Sequence, residues 1–288
     1  MQIVSLIARP GTLDTALVES LRNAWGGGPV TVLSDGEAAE FPVAAVPGNF
    51  EEVRASLAAQ ADLNVLPAAG RRKKMLLADM DSTMIQQECI DELAEEAGVG
   101  AHVKAITARA MNGELDFEGA LTERVALLKG LPESVIGKVL DTRITLMPGG
   151  LELVATMKAN GAYAALVSGG FTAFTSRIAE TIGFDENRAN TLLVEDGALT
   201  GVPAQPILGR EAKVQALEEI TARLEITEAD VLAVGDGAND LGMLGRAGFG
   251  VALHAKPSVQ AECDLRVNLG DLTALLFLQG YAREDFAV

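Results

Sequence analysis

Three short apolar runs, each ending in a cluster of polar residues and glycines, constrain this chain more than any other feature. Met75-Leu76-Leu77-Ala78 leads into Asp79-Met80-Asp81-Ser82-Thr83, Ala164-Ala165-Leu166-Val167 into Ser168-Gly169-Gly170, and Val231-Leu232-Ala233-Val234 into Gly235-Asp236-Gly237-Ala238-Asn239-Asp240. Unbroken apolar runs of this length suit strands buried on both faces of a parallel sheet. Open parallel sheets bind ligands beyond the carboxyl ends of their strands, where all three clusters fall. The pattern predicts an α/β fold built on a doubly wound, mostly parallel sheet.

The first cluster sets two carboxylates two residues apart. Alternate side chains of an extended segment share a face, and a slight kink after Ala78 would turn Asp79 and Asp81 toward the crevice. Carboxylates that close repel each other, and are best tolerated when a hard divalent cation lies between them or one holds a proton. That is the electrostatic pattern of metal-assisted phosphoryl transfer, although a solvated Asp-x-Asp turn accounts for the motif taken alone. Ser168-Gly169-Gly170 offers a hydroxyl and backbone N–H groups opening a helix, which suits a phosphate oxygen; a plain glycine turn is the alternative. The third cluster adds two carboxylates and an amide, with glycines that let the backbone approach a ligand. Lys213, at the start of an expected helix, can neutralise phosphate as a point charge, though a single lysine is more commonly just solvated.

In this order the pieces resemble the motifs of the haloacid dehalogenase superfamily, and within it the phosphoserine phosphatase family, from about Lys74 to the C-terminus. The resemblance implies Mg2+-dependent hydrolysis of O-phospho-L-serine, the last step of serine biosynthesis, through an aspartyl-phosphate at Asp79. It implies Asp81 as general acid and base, and Asp79, Asp236 and the Asp81 backbone carbonyl as metal ligands, with Asp240 holding Asp236 or a metal-bound water from behind. Ser168, Gly169, Lys213 and Asn239 would bind the transferring phosphoryl oxygens. A phosphomonoester resists anionic attack, so cations and oriented donors are what such a site must supply. Position 80 is Met where the family commonly has Phe, an apolar exchange of adaptable shape.

Between the first two clusters about sixty residues read as helices, a small cap. Glu88 opens a helix whose apolar positions Ile90, Leu93, Ala94 and Ala97 keep helical spacing, and by itself it is a favourable first-turn acid. The resemblance implies that Glu88 binds the substrate's ammonium group and Arg124 its carboxylate, with Met111 and Phe117 walling off water. An arginine fork suits a carboxylate geometrically. Taken singly, Met111 and Phe117 read as core and Arg124 as a surface ion pair. Such a cap is expected to move.

The 288 residues, about half of them hydrophobic (49%), can bury one substantial core and a smaller one. The formal net charge of −17 argues against nucleic acid or an anionic membrane surface as partner. Two cysteines, Cys89 and Cys263, suggest no disulfide framework; with no basic N-terminal leader and no run of membrane-spanning length, a cytoplasmic protein is expected. Residues 1–70 read as βαββαβ, with strands at 3–8, 30–33, 42–46 and 62–66 and helices at 13–24 and 50–59. This resembles a ferredoxin-like module of the ACT type, which implies amino-acid binding or subunit pairing; a homodimer through it, or support of the cap, is the expectation. The division reads as 1–70 ferredoxin-like, 71–86 with 147–288 core, and 87–146 cap. Leu192-Leu193-Val194 and Leu199-Thr200-Gly201-Val202 flank a turn signal, predicting an antiparallel edge on the core sheet. Gly161, Gly183 and Gly248 are placed at helix ends. Two alternatives remain: the same chemistry delivered to another alcohol or ester, and an amino-acid sensor whose phosphatase part is idle.

Overall fold

Successive side chains of a strand face opposite ways, and the first strand of the computed structural model, β1 (Gln2–Ile7), buries both of its faces. The structure describes residues 1–111 and 114–287, and the Met111 side chain lies outside the description. After β1 come α1 (Thr15–Ala24), β2 (Thr31–Ser34), β3 (Ala38–Val43), α2 (Phe50–Leu57) and β4 (Asp62–Pro67). The strands form an antiparallel sheet of order β2-β3-β1-β4. Val4 and Leu6 of β1 pack with Val18, Phe50 and Leu57 of the two helices, while Ile3 and Ile7 join the main core. The expected strand at 42–46 lies four residues earlier. Pro42 sits inside β3, past the last β2 pairing of Thr31 with Glu40, where no partner on that side needs its missing N–H.

The main sheet begins with β5 (Met75–Ala78). Four helices follow, α3 (Cys89–Glu96), α4 (Gly100–Met111), α5 (Phe117–Ala126) and α6 (Ser134–Thr142). The chain then continues through α7 (Gly150–Ala159), β6 (Tyr163–Phe171), α8 (Thr172–Ile182), β7 (Glu186–Asn190), β8 (Leu192–Glu195), β9 (Ala198–Pro203), α9 (Arg210–Arg223), β10 (Val231–Gly235), α10 (Leu241–Arg246), β11 (Phe249–Leu253), α11 (Pro257–Ala261), β12 (Leu265–Val267) and α12 (Ala274–Leu278). The sheet order is β12-β11-β10-β5-β6-β7 and every pair is parallel. Its antiparallel edge, expected from the hairpin signal, is absent among the described residues. β8 and β9 pair only with each other, and left-handed Asp196 and Gly197 turn them tightly. That hairpin leans on the helical segment instead, where Gly130 N donates to Leu199 O and Leu199 N to Leu131 O.

The order places a switch point at β5. From β5 the chain winds outward through β6 and β7, then crosses back to build β10, β11 and β12 on the other side, leaving a crevice beyond the carboxyl end of β5. The helical segment α3–α6 hangs over this crevice on two adjacent stretches of chain. Ile85 bridges Leu146, Gln86 N donates to Thr145 O, and Met147 N to Met84 O. Gly161 and Gly183 adopt positive φ at helix ends as expected. Gly248 also follows a helix end, just past the Ala247 cap of α10, but without a positive φ: a Cβ there would lie 2.1 Å from Ala229 O, so close backbone approach is what requires glycine.

The two sheets meet edge to edge at β4 and β12 through side chains that stand in for backbone pairing. The Asn64 amide donates to Arg266 O and accepts from Arg266 N, and the buried Asp62 carboxylate accepts from the N–H groups of Asn268, Leu269 and Gly270. Removing that carboxylate strands three donors in a mostly buried joint. Asp62→Ala is therefore expected to lower unfolding stability by about 3 kcal/mol, read by chemical denaturation; a change below 0.5 kcal/mol would contradict this role. Among the described residues no helix is long and apolar enough to cross a membrane.

Candidate active site

Leaving β5, the backbone N–H of Asp79 donates to Val234 O of β10, which fixes the carboxylate at the switch point. The chain then coils tightly: Met80 O accepts from Thr83, Met84 and Ile85, and Ser82 takes a left-handed φ of 55°. This is the kink that presents Asp79 and Asp81 to one cavity. The cavity has a volume of about 520 Å³ and is lined by the ends of β5, β6 and β10 below and by α3, α4 and α5 above.

At the lower end, Asp79, Asp236 and Asp240 each offer a carboxylate oxygen within 4.8 Å of the others. Asp240 is fully buried and already committed. Its Oδ1 accepts from Lys213 Nζ at 2.5 Å, and its Oδ2 from the N–H groups of Asp236 and Gly237. Lys213 also reaches Asp79 Oδ1 at 2.6 Å. Thr83 donates to Asp236 Oδ1, so Oδ2 of Asp79 and of Asp236 are left without hydrogen-bond partners among the described residues. These hard oxygen donors, crowded and partly unpaired, fit a small divalent cation held by Asp79 and Asp236, with Asp240 as their support. The Asp81 carboxylate is not in this cluster.

Charge crowding shows in the protonation equilibria. Burial, then the Asp240 charge, pushes the Asp79 carboxyl well above the usual range against the pull of Lys213. Asp236 rises to about 6, through burial, then Asp240 and Glu88. Asp81 rises to about 7 because it is buried and faces Glu88, while the Cys89 N–H, donating to its Oδ1 at 3.0 Å, opposes the shift. A carboxyl near 7 can hold a proton and release it at neutral pH. Burial lowers the Lys213 ammonium, but Asp79 and Asp240 outweigh it and the net shift is upward, so it stays charged.

Ser168, Gly169 and Gly170 line the cavity as expected, but they do not open a helix. They lie in β6, where the pairing with β7 shifts register between Val167 and Phe171; Ser168 Oγ accepts from Gly170 N, and α8 starts only at Thr172. A Cβ on Gly170 would stand 2.6 Å from Asp81 Oδ2, so the glycine makes room for that carboxylate. Asn239 lines the cavity too. Lys213 does not: it is 1% exposed and lies behind Asp79.

At the upper end, Glu88 makes no capping bond to α3; its carboxylate accepts from Ser82 Oγ at 2.7 Å and faces the cavity. Arg124 is half-buried, and desolvation lowers its pKa against the pull of Asp91, Glu88 and Asp81. Nε donates to Ala120 O, and the guanidinium has no salt-bridge partner among the described residues, contrary to a surface ion pair. Phe117 bridges the two ends, close enough to Gly169 and Gly209 that a Cβ on either would touch its ring. The expected wall at Met111 concerns a side chain outside the described residues. Sequence reasoning missed Thr107, Arg210 and Lys256, which also line the cavity. Arg210 had a signal, three residues before Lys213 on the same helix; Thr107 and Lys256 had none, since only tertiary folding brings their elements to the cavity.

The chain matches the model of the haloacid dehalogenase-like hydrolases over residues 76–245. A phosphoserine phosphatase of Haemophilus influenzae is 46% identical over 204 residues, covering 71% of this chain and 65% of the relative. The crystal structure of a haloacid dehalogenase family hydrolase from Salmonella enterica serovar Typhi superposes with a TM-score of 0.87 at 33% identity, covering 96% of this chain and 97% of that one. A phosphoserine phosphatase solved as a phospho-aspartyl intermediate analogue gives 0.67 at 43% identity, covering 72% and 98%. This chain spans 65%, 62% and 59% of three curated phosphoserine phosphatases it matches.

Proposed function

Because the chain belongs to the haloacid dehalogenase-like hydrolases, we propose that it is a magnesium-dependent phosphatase that hydrolyses O-phospho-L-serine to L-serine and phosphate. One observation carries the reading: a single cavity has crowded carboxylates at its core end and, at its cap end, Glu88 opposed to an Arg124 that has no ion-pair partner among the described residues. A phosphorylated amino acid has complementary ends, an anionic phosphate and an ammonium beside a carboxylate. The names of the relatives and of the solved phosphatase support the same substrate.

Asp79 attacks phosphorus, forming the aspartyl–phosphate bond as the bond to the serine oxygen breaks. Asp81 gives its proton to that leaving oxygen. As a carboxylate it then takes a proton from water, which attacks the phosphoaspartate, releases phosphate and returns Asp79. Its pKa of about 7 suits both halves. Lys213, fixed behind Asp79, offsets the nucleophile's charge, while Ser168, Gly169 and Asn239 are the donors for the phosphoryl oxygens. Magnesium, held by Asp79, Asp236 and the Asp81 carbonyl, would neutralise charge on those oxygens. Glu88 receives the ammonium, Arg124 the carboxylate, and Phe117 closes the cavity against water.

The antiparallel order β2-β3-β1-β4 with two helices supports a ferredoxin-like module of the ACT type over 1–70, beside a core of 71–86 with 147–288 and a cap of 87–146. Two free cysteines support a cytoplasmic setting.

The test is phosphate release from phosphoserine, phosphoethanolamine and p-nitrophenyl phosphate, with magnesium and with chelator. Phosphoserine should be preferred and chelator should abolish turnover; equal rates on all three would remove the substrate assignment. Arg124→Ala is expected to raise the KM for phosphoserine about 30-fold and to erase discrimination against phosphoethanolamine, which lacks the carboxylate. Preserved discrimination would refute the clamp.

A further inference from the structure

We propose that Thr107, on α4, is a specificity-determining residue whose hydroxyl hydrogen-bonds the amino-acid end of the substrate; the inference rests on the phosphoserine reading above. Its Oγ1 is buried and has no hydrogen-bond partner among the described residues. Ser5 Oγ shares that condition, but it lies in the N-terminal sheet, away from the cavity that Thr107 lines.

A helical threonine ordinarily has an easy way out, because its hydroxyl can bond back to the carbonyl one turn earlier. Three helical threonines of this protein do so: Thr142 to Lys138 O, Thr181 to Arg177 O and Thr221 to Leu217 O, all at 2.7–2.8 Å. Thr107 does not. A buried hydroxyl without a partner destabilises a fold, and valine fills the same shape without that cost. The orphan is explained if a ligand supplies the missing bond.

Its position says which part of the ligand. Thr107 belongs to the cap end of the cavity with Glu88 and Arg124, opposite Ser168, Gly169 and Asn239. A hydroxyl both donates and accepts, so it can donate to the carboxylate engaged by Arg124 or accept from the ammonium facing Glu88. A phosphate ester lacking both groups leaves it orphaned.

The experiment compares kcat/KM for phosphoserine and for p-nitrophenyl phosphate in the intact protein, Thr107→Val and Thr107→Ser. The phosphoserine to p-nitrophenyl phosphate ratio should fall about tenfold in Thr107→Val and return in Thr107→Ser. The thermal midpoint of ligand-free Thr107→Val should match or exceed that of the parent, because an unsatisfied group has been removed. A merely structural hydroxyl would lower both activities alike and the midpoint with them, leaving the ratio unchanged; that result, or an unchanged ratio at full activity, overturns the proposal. A parent that shows no preference for phosphoserine instead removes the substrate reading beneath it.

Discussion

Asp79→Asn should abolish phosphate release, by about 10⁴-fold or more, while leaving the fold intact. The amide keeps the shape of the carboxylate and can still accept from Lys213, but it cannot form the acyl phosphate. Stability is expected to move the other way. Three carboxylates within 4.8 Å share one buried ammonium, an excess of negative charge that removal of one aspartate relieves. The folded protein holds the Asp79 carboxyl above its ordinary range. For such a group, stability is lost as pH rises from the unfolded value near 3.9 through the higher folded value, so at neutral pH the ionised form costs stability when no cation is bound. In chelator, therefore, the thermal midpoint of Asp79→Asn should equal or exceed that of the parent. Magnesium should raise the parent's midpoint more than the variant's. Retained turnover would falsify the nucleophile, and a variant that melts well below the parent in chelator would contradict the charge account.

The core of the site was legible because buried parallel strands leave a clear trace: β5, β10 and the first half of β6 are apolar runs, and ligand-facing residues are expected beyond such runs. Asp79, Asp81, Ser168, Asp236 and Asn239 were therefore picked out by their place after those runs and given roles by the resemblance, and they line one cavity. What failed depended on distance. Ser168-Gly169-Gly170 reads as a turn locally, but its pairing with β7 draws it into the strand as an irregularity. The β8–β9 hairpin was recognised from its turn residues, yet its partner is the loop after α5 rather than the sheet edge, a choice made by tertiary packing. Glu88 and Arg124 read singly as ordinary helix surface and were assigned to the substrate only through the resemblance; both line the cavity, and Arg124 stands there without an ion-pair partner among the described residues. Lys213 was identified by type, but nothing local says that it lies beneath Asp79 rather than at the cavity wall. Thr107 gave no signal at all, since an unsatisfied hydroxyl exists only in three dimensions.

That buried position makes Lys213 the residue whose loss should be felt twice. Its side chain is 1% exposed and joins two acids, Asp79 and Asp240, which are 7% and 0% exposed. Lys213→Met keeps the volume of the stem and removes the charge, leaving both carboxylates buried without compensation. Breaking a buried pair in this way costs about 4 kcal/mol, so a marked fall in unfolding stability is expected. Turnover should fall about 10³-fold in the fraction that remains folded, because the preorganised cation behind the nucleophile is gone. A second substitution separates the two effects. Asp240→Asn retains a carbonyl oxygen to accept from the N–H groups of Asp236 and Gly237, yet it removes one of the uncompensated charges. Lys213→Met with Asp240→Asn should therefore recover much of the lost stability and little of the lost activity, a non-additive result in denaturation and an additive or worse one in kinetics. Recovery of turnover together with stability would mean that Lys213 serves only to hold the fold. If Lys213→Met proved as stable as the parent, the ion pairs beneath Asp79 would not be what holds this part of the core together.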